Sequence, residues 1–538
     1  MTVARDTGIT KILAKSPQVA QIALIALIAL VFRVVDTGRF TTTDEYGFFL
    51  GWTEGFRNAV RAGDFLATRQ SPQYPAVTVH WLGTLGWMLL DWRVSLFGPV
   101  DFVASMQTLR LPIAIVCAVC PIIGLFLLRN LIGAPVAFLC ALLWATDPFL
   151  IAYSRILGVD GLLASFMIVA ALLITRAFYK VRDGTIVINW KALTLAGAAS
   201  GLAVLTKLPS VALFGFFILV LLRPFARQDI KYTLVALTYF FGVALVVFVA
   251  LYPAMWIEPV NTLRGFSEGI DLASKPHENG NFFLGKVVDN PGPLYYPTAI
   301  SLRLTPWTLV GIMLVSILAL SGKLAEVEQR VVLRLSMYIL IVLFIITIAP
   351  KKFDRYALPI FPALDILAGI GLYRFTTLVS RGLTFTRRNG TFLIWLPLII
   401  GLLLNLSWYH PYQIAYYNPL LGGGKTAEQA ILVGWGEGVE FAGDYITDQP
   451  NSCSQAVIAW VSFLLKPYIC SWVDNTLPVD SPEAGFIVFY VSQLQRGIDR
   501  AEFQAMLDAK RPDHIVRLHD INYAYVFKLS SATNGNSR

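Results

Sequence analysis

Residues 232–254 read YTLVALTYFFGVALVVFVALYPA, a run without one charged side chain. Roughly 20 consecutive apolar residues cross the hydrocarbon core of a bilayer as a helix. Blocks of the same kind lie at Pro17–Val35, Leu109–Leu128 and Phe392–Trp408. In lipid every backbone N–H and C=O needs a partner within the protein, which leaves helices or a closed barrel. Barrel strands alternate polar and apolar residues. These blocks do not alternate, so helices follow. Composition agrees: 56% of the 538 residues are hydrophobic and 14% are charged, against about 25% charged in soluble domains.

Working outward, the pattern predicts an α-helical polytopic membrane protein. About eleven transmembrane helices are expected, near 17–35, 109–128, 134–148, 159–178, 191–206, 208–223, 231–256, 303–321, 332–349, 355–375 and 391–409. Arg5, Lys11 and Lys15 precede the first block and no small-residue cleavage site follows it, which reads as a retained signal anchor. Tyr74–Leu90 is also apolar but is broken by Pro75, His80, Gly83 and Gly86. It is expected as a juxtamembrane helix, with a true span as the alternative.

Lys and Arg collect on cytoplasmic loops. Short basic loops holding Arg176, Lys180 and Arg182, then Arg223, Arg227 and Lys231, then Lys323, Arg330 and Arg334, then Arg374, Arg381, Arg387 and Arg388 place the N-terminus inside. Outer loops are then expected at about 36–108 and 257–302, in a membrane module of residues 1–409. Residues 410–538 form a small extracytoplasmic α/β domain. Its strands are read at Ala456–Val461, Gly485–Val491 and Tyr523–Leu529, its helices at Gly438–Ile446 and Arg500–Ala509, and its end, Ser530–Arg538, as disordered. Cys453 and Cys470 lie in this domain, in an oxidising compartment, and a disulfide between them is expected.

Several functions find no support. The net charge of +9 is modest for the length and points to lipid and topology, with no nucleic acid as partner. No GxxxxGK[ST] loop, HExxH pair or zinc spacing occurs among the motifs. No internal repeat is visible, which counts against a secondary transporter.

Charged residues near membrane depth mark sites. Three clusters qualify. Asp44 and Glu45 follow the first span, with Phe48, Phe49 and Trp52 behind them. A general base with sugar-stacking neighbours is one reading, a helix cap with interfacial aromatics the other. Asp147, Arg155 and Asp160 crowd one connection, where helix capping is the plainer alternative. Lys351, Lys352, Arg355 and Tyr356 lie in KKFDRY on an outer loop, against the positive-inside rule. Lys207 and Arg303 fall on the same side. A lipid phosphate offsets such charge, and snorkelling to headgroups is the alternative. Oxygen ligands at Asp44 and Asp160 also suit Mg²⁺ or Mn²⁺.

The order of these features resembles the protein O-mannosyltransferases and the lipid A aminoarabinose transferases, within the C-type membrane glycosyltransferases. The resemblance covers about residues 17–375. It rests on TTDEYGFF (42–49), SPQYPAVTVHWLG (71–83), DPFLIAYSRILGVDGLL (147–163), LTKLPS (205–210) and KKFDRYALPIFPALDILAG (351–369). HENGNFFLG (277–285), opened by His277, with PGPLYYP (291–297), looks like the second outer loop of bacterial members. YYNPLLGGG (416–424) and GWGEG (434–438) look like the start of their tail.

The resemblance implies a sugar transferred from a polyprenyl-phosphate carrier to a protein, lipid or glycan hydroxyl, at the outer face of a bacterial plasma membrane. It implies Asp44 as catalytic base, Asp160 as the second acid lining the site, and KKFDRY near the carrier phosphate. The protein O-mannosyltransferase likeness implies no metal and no cofactor. A lysine of the aminoarabinose transferases is missing at Gln70-Ser71, where Arg69 is the substitute. The substrate-binding candidates are thus Arg69, Arg155, Lys207, His277, Arg303, Lys351, Lys352, Arg355 and Tyr356. The alternative function is a permease or lipid flippase.

Overall fold

The computed structural model describes residues 8–71, 74–182, 185–222, 230–380 and 392–529. Arg5, Arg223, Arg227, Arg381, Arg387 and Arg388, the motif residues Pro72 and Gln73, and residues 530–538 lie outside that set.

The apolar blocks are helical. The main helices are Gly8–Val34, Phe102–Ile132, Ala134–Thr146, Val159–Ala177, Trp190–Thr206, Ala212–Leu222, Ile230–Leu251, Pro306–Leu320, Glu326–Ile348, Phe361–Ser380 and Phe392–Tyr409. By length and composition five of the described helices can cross a bilayer, or seven if each of two bent pairs is one span. The expected eleven exceeds this count. Gln18–Val34, Trp190–Thr206, Leu208–Leu222 and Trp395–Tyr409 are apolar but no longer than 17 residues. Tyr74–Leu90 forms part of the Val77–Phe97 helix, which is not among the spanning five.

The two bends have local causes. Asp147 ends the Ala134–Thr146 helix and caps the Pro148–Ser154 helix, accepting from Leu150 N at 2.8 Å, and the pair turns by 58°. Pro148 fits the first helical position because no N–H is needed there. Thr305 and Pro306 repeat the device between Tyr295–Arg303 and Pro306–Leu320, which meet at 117°. Elsewhere small residues bring helices close. A Cβ on Gly371 would lie 2.2 Å from the Gly311 carbonyl oxygen, so Pro306–Leu320 and Phe361–Ser380 meet backbone to backbone. At the end of the bundle away from the site, Arg334 donates to the Thr175 and Phe178 carbonyls at 2.6 and 2.9 Å and closes the Val159–Ala177 helix.

Two hairpins join membrane helices: β1 (Lys180–Arg182) with β2 (Thr185–Val187), and β3 (Asn281–Phe283) with β4 (Lys286–Val288). The tail carries a mixed five-stranded sheet of β5 (Ala456–Ala459), β6 (Trp472–Val473), β7 (Ala484–Tyr490), β8 (His514–Leu518) and β9 (Ile521–Lys528), in the order β6-β5-β7-β9-β8. β5 runs parallel to β6 and β7, and β9 pairs antiparallel with β7 and β8. The three expected strands correspond to β5, β7 and β9. The two edge strands escaped the sequence because β6 is two residues long and β8 is only half-buried.

Cys453 and Cys470, 17 residues apart, are disulfide-bonded and tie the turn before β5 to the turn before β6. A loop of that length contributes about 3 kcal/mol. Cys453→Ser should therefore lower the unfolding midpoint of the tail and hasten its proteolysis. Equal protease sensitivity of variant and wild type would show that the bond is dispensable.

The tail does not hang free. One continuous buried core runs from Ile25 in the first helix to Val526 in β9. Backbone bonds stitch the parts together: Asn418 N to Leu302 O at 2.7 Å, Leu284 N to Ala430 O at 2.9 Å, and Thr43 N to Trp435 O at 3.0 Å. Gly436, at φ +129°, sits so close to the segment after the first helix that a Cβ would lie 2.1 Å from Thr41 O.

Candidate active site

Asp44 opens the short turn of π-helix Glu45–Phe49 just beyond the first helix. Asp160 stands in the first turn of Val159–Ala177. Arg355, at the head of the segment leading into Phe361–Ser380, reaches both: its Nη2 is 3.3 Å from Asp44 Oδ2 and its Nε 3.5 Å from Asp160 Oδ2. Lys207, in the break between Trp190–Thr206 and Ala212–Leu222, donates to Asp160 Oδ1 at 2.8 Å. Two acids and two bases thus form one compensated group where four helix ends converge.

Aromatic rings fix this group. Arg355 lies 4.3 Å from the Phe353 ring centroid and 4.3 Å from that of Trp435. Lys207 Nζ lies 4.5 Å from the centre of Tyr356 and 5.7 Å from that of Tyr74. Cations over ring faces are held electrostatically, more strongly once desolvated. Burial, then the Asp44 and Asp160 carboxylates, raise the Tyr74 phenol well above its ordinary range, so it remains a donor at neutral pH. Phe48, Phe49, Trp52 and Tyr74 continue the wall, with successive ring centroids 5.2, 5.5 and 6.2 Å apart for Phe48–Trp52, Phe49–Trp52 and Trp52–Tyr74.

The two acids differ in access. The Asp160 side chain is 7% exposed and holds two cations. That of Asp44 is 29% exposed, and among the described residues Arg355 is its one hydrogen-bond partner. Asp44 is therefore the more open carboxylate of the two.

The structure brings Asp44, Asp160, Lys207, Arg355 and Tyr356 together, with Lys351 half-buried beside them and His277 at the rim against Phe353. It takes five other candidates elsewhere. Glu45 points away from Asp44, as adjacent residues in a turn do. It accepts from Arg110 Nε and Nη2, each at 2.8 Å, from Thr42 N at 2.9 Å and from Leu157 N at 2.6 Å. Arg155 donates to Val35 O at 2.6 Å and Gln413 Oε1 at 2.7 Å. Arg303 pairs with Asp354 at 2.7 Å and donates to the Ile414 and Tyr416 carbonyls, both at 2.7 Å. The Lys352 ammonium folds back onto Thr347 O and Ala349 O, the carbonyl end of Glu326–Ile348. Arg69 donates to Asn261 O at 3.2 Å and pairs with Glu268 at 3.4 Å, both on the Pro259–Ala273 helix.

Four residues that matter here were not singled out from the sequence. Arg110 is a charge inside an apolar block, which is itself a signal. Trp435 lay in GWGEG, read only as the start of a tail, and Tyr74 in a segment read as a juxtamembrane helix. Arg496 had no signal at all. As for a divalent ion, Asp44 and Asp160 already face Arg355 and Lys207. Among the described residues no group of three or more His, Cys, Asp or Glu converges on a metal position.

Residues 88–256 match the family model described as dolichyl-phosphate-mannose-protein mannosyltransferase. The chain is similar to the ArnT structure from Cupriavidus metallidurans bound to undecaprenyl phosphate, at 14% identity and a TM-score of 0.51, over 97% of this chain and 100% of that one. Archaeal oligosaccharyltransferase AglB from Archaeoglobus fulgidus is matched at 11% identity and a TM-score of 0.46, over 89% of this chain and 70% of that one.

Proposed function

We infer, from a chain that shares the fold of the C-type membrane glycosyltransferases and carries a dolichyl-phosphate-mannose-protein mannosyltransferase segment, that it transfers a sugar from a polyprenyl-phosphate carrier to an acceptor hydroxyl. The observation that carries this reading is the half-open Asp44 carboxylate, held by an arginine that also grips Asp160, with Lys207 alongside.

The step follows from these groups. The acceptor oxygen bonds to the anomeric carbon as its proton passes to Asp44. The bond from that carbon to the carrier phosphate breaks, and its electron pair leaves with the phosphate. Attack opposite the leaving group inverts the anomeric centre, by analogy with inverting glycoside chemistry. Neighbouring cations stabilise the charge that grows on the phosphate. The phosphoester supplies the energy, and the lipid carrier accounts for an enzyme built into the membrane. We place the reaction at the outer face of a bacterial plasma membrane, because the basic loops of the sequence set that orientation. The protein divides in this reading into a membrane module, 1–409, and an outer domain, 410–538.

Arg355 and Lys352 separate a site role from an anchoring role. Arg355→Gln leaves both carboxylates without their shared cation, and kcat/KM should fall by about 10- to 100-fold, the worth of a charge-assisted hydrogen bond. Lys352→Gln should leave donor kinetics unchanged and lower thermal stability only. Equal kinetic loss in the two variants would mean that the loop acts as a whole and that the contacts drawn here do not matter.

The function is tested with purified full-length protein, a panel of radiolabelled polyprenyl-phosphate sugars and a membrane extract as acceptor source. Label moving from the lipid donor into the extract for at least one sugar supports the reading. Label that stays on every donor overturns it.

A further inference from the structure

Among the described residues, two cations at this site make no ion pair. Lys207 and Arg355 are held by Asp160 and Asp44. Lys351 and Arg496, which lies in the tail, have no carboxylate partner among the described residues, and the Arg496 Nε is buried without a hydrogen-bond acceptor. Burial, then the Arg355 charge, push both groups down, Arg496 to about 10. A partly buried cation without an anion is costly.

His277 sharpens the picture. Asn279 N donates to its Nδ1 at 3.1 Å. Burial, then Arg496, hold the ring down to about 4, so it is neutral at pH 7 and its one proton sits on Nε2. That Nε2 lies 3.5 Å from Arg496 Nη2. Both atoms are donors, so neither satisfies the other. One acceptor oxygen seated against the pair would satisfy both.

The turn that presents Arg496 is rigid. It follows the Val491–Gln495 helix, whose Gln495 side chain donates to Glu428 O at 2.6 Å and accepts from Val433 N at 2.9 Å. Gln493 holds Tyr490 N at 3.0 Å and Asp499 at 2.7 Å. The tail therefore presents its guanidinium beside His277 from a hydrogen-bonded turn.

We propose that Arg496, Lys351 and His277 form an anion subsite that seats the phosphate of the lipid-linked donor, so that the outer domain completes the donor site. This rests on the donor reading above. A guanidinium fork, an ammonium and an imidazole N–H match the oxygens of a phosphodiester. Lys351 also lies near enough to Asp44 to feel its charge.

The test uses the full-length protein in nanodiscs and two probes, undecaprenyl phosphate and undecaprenol, with affinity read by native mass spectrometry. Wild type should prefer the phosphate. Arg496→Gln and Lys351→Gln should each weaken undecaprenyl phosphate binding by about 10-fold and leave undecaprenol binding unchanged, which also controls for folding. Arg496→Lys should recover part of the loss. If Arg496→Gln binds undecaprenyl phosphate like wild type, the subsite is refuted and the donor reading stands. If wild type itself does not discriminate the two lipids, the donor reading fails and takes this proposal with it.

Discussion

Asp44→Asn is expected to lower kcat by about 10²–10⁴-fold, the usual contribution of a positioned general base, while donor affinity is retained. The substitution keeps the size of the side chain and one carbonyl oxygen for Arg355. Asp160, which holds both Arg355 and Lys207, is untouched, so the cationic side of the site should persist. Asp44 is also partly exposed and makes one ion pair, so little stability is at stake. Single-turnover transfer with saturating donor isolates the chemical step. A wild-type rate would remove Asp44 from the mechanism.

Glu45→Gln should act in the opposite way, on stability first. Glu45 and Arg110 are each 1% exposed and joined at 2.8 Å. Arg110 also donates to Phe40 O at 2.7 Å and to Thr37 O. The pair thereby ties the segment after the first helix to Phe102–Ile132 and, through Leu157 N, to the connection before Asp160. Neutralising one partner strands a buried guanidinium, and breaking such a pair costs about 3–5 kcal/mol. The unfolding midpoint in detergent should fall sharply, with activity lost through displacement of Asp44. Arg110→Met should do the same, and the double variant should cost less than the sum because the two changes share one interaction. Glu45→Gln with wild-type stability and no activity would instead make Glu45 the base.

What the sequence made legible follows from which forces act locally. The helices were readable because lipid forces every backbone group to pair within its own segment. Their number was less readable, since Pro148 and Pro306 bend two of them and four others stop short. Asp44 and Asp160 stood out as acids at span ends. KKFDRY was half legible: composition gives three cations, but only the backbone path turns Arg355 onto the acids and folds Lys352 back onto helix carbonyls. Arg155 and Arg303 could not be assigned from sequence. Their guanidinium donors satisfy carbonyls of Val35, Ile414 and Tyr416, contacts that no local pattern encodes. Arg496 illustrates the same limit, as its place depends on docking the tail across residues far apart in the chain.

Transfer and permeation are separated by one experiment. The purified protein is reconstituted into sealed vesicles that contain a radiolabelled polyprenyl-phosphate sugar, and acceptor extract is supplied on the side of the tail. The account predicts that label leaves the lipid and appears in covalent linkage to acceptor, without ATP, and that Asp44→Asn vesicles release almost none. Labelled donor that crosses the bilayer intact, with no new glycosidic product in either preparation, would contradict it.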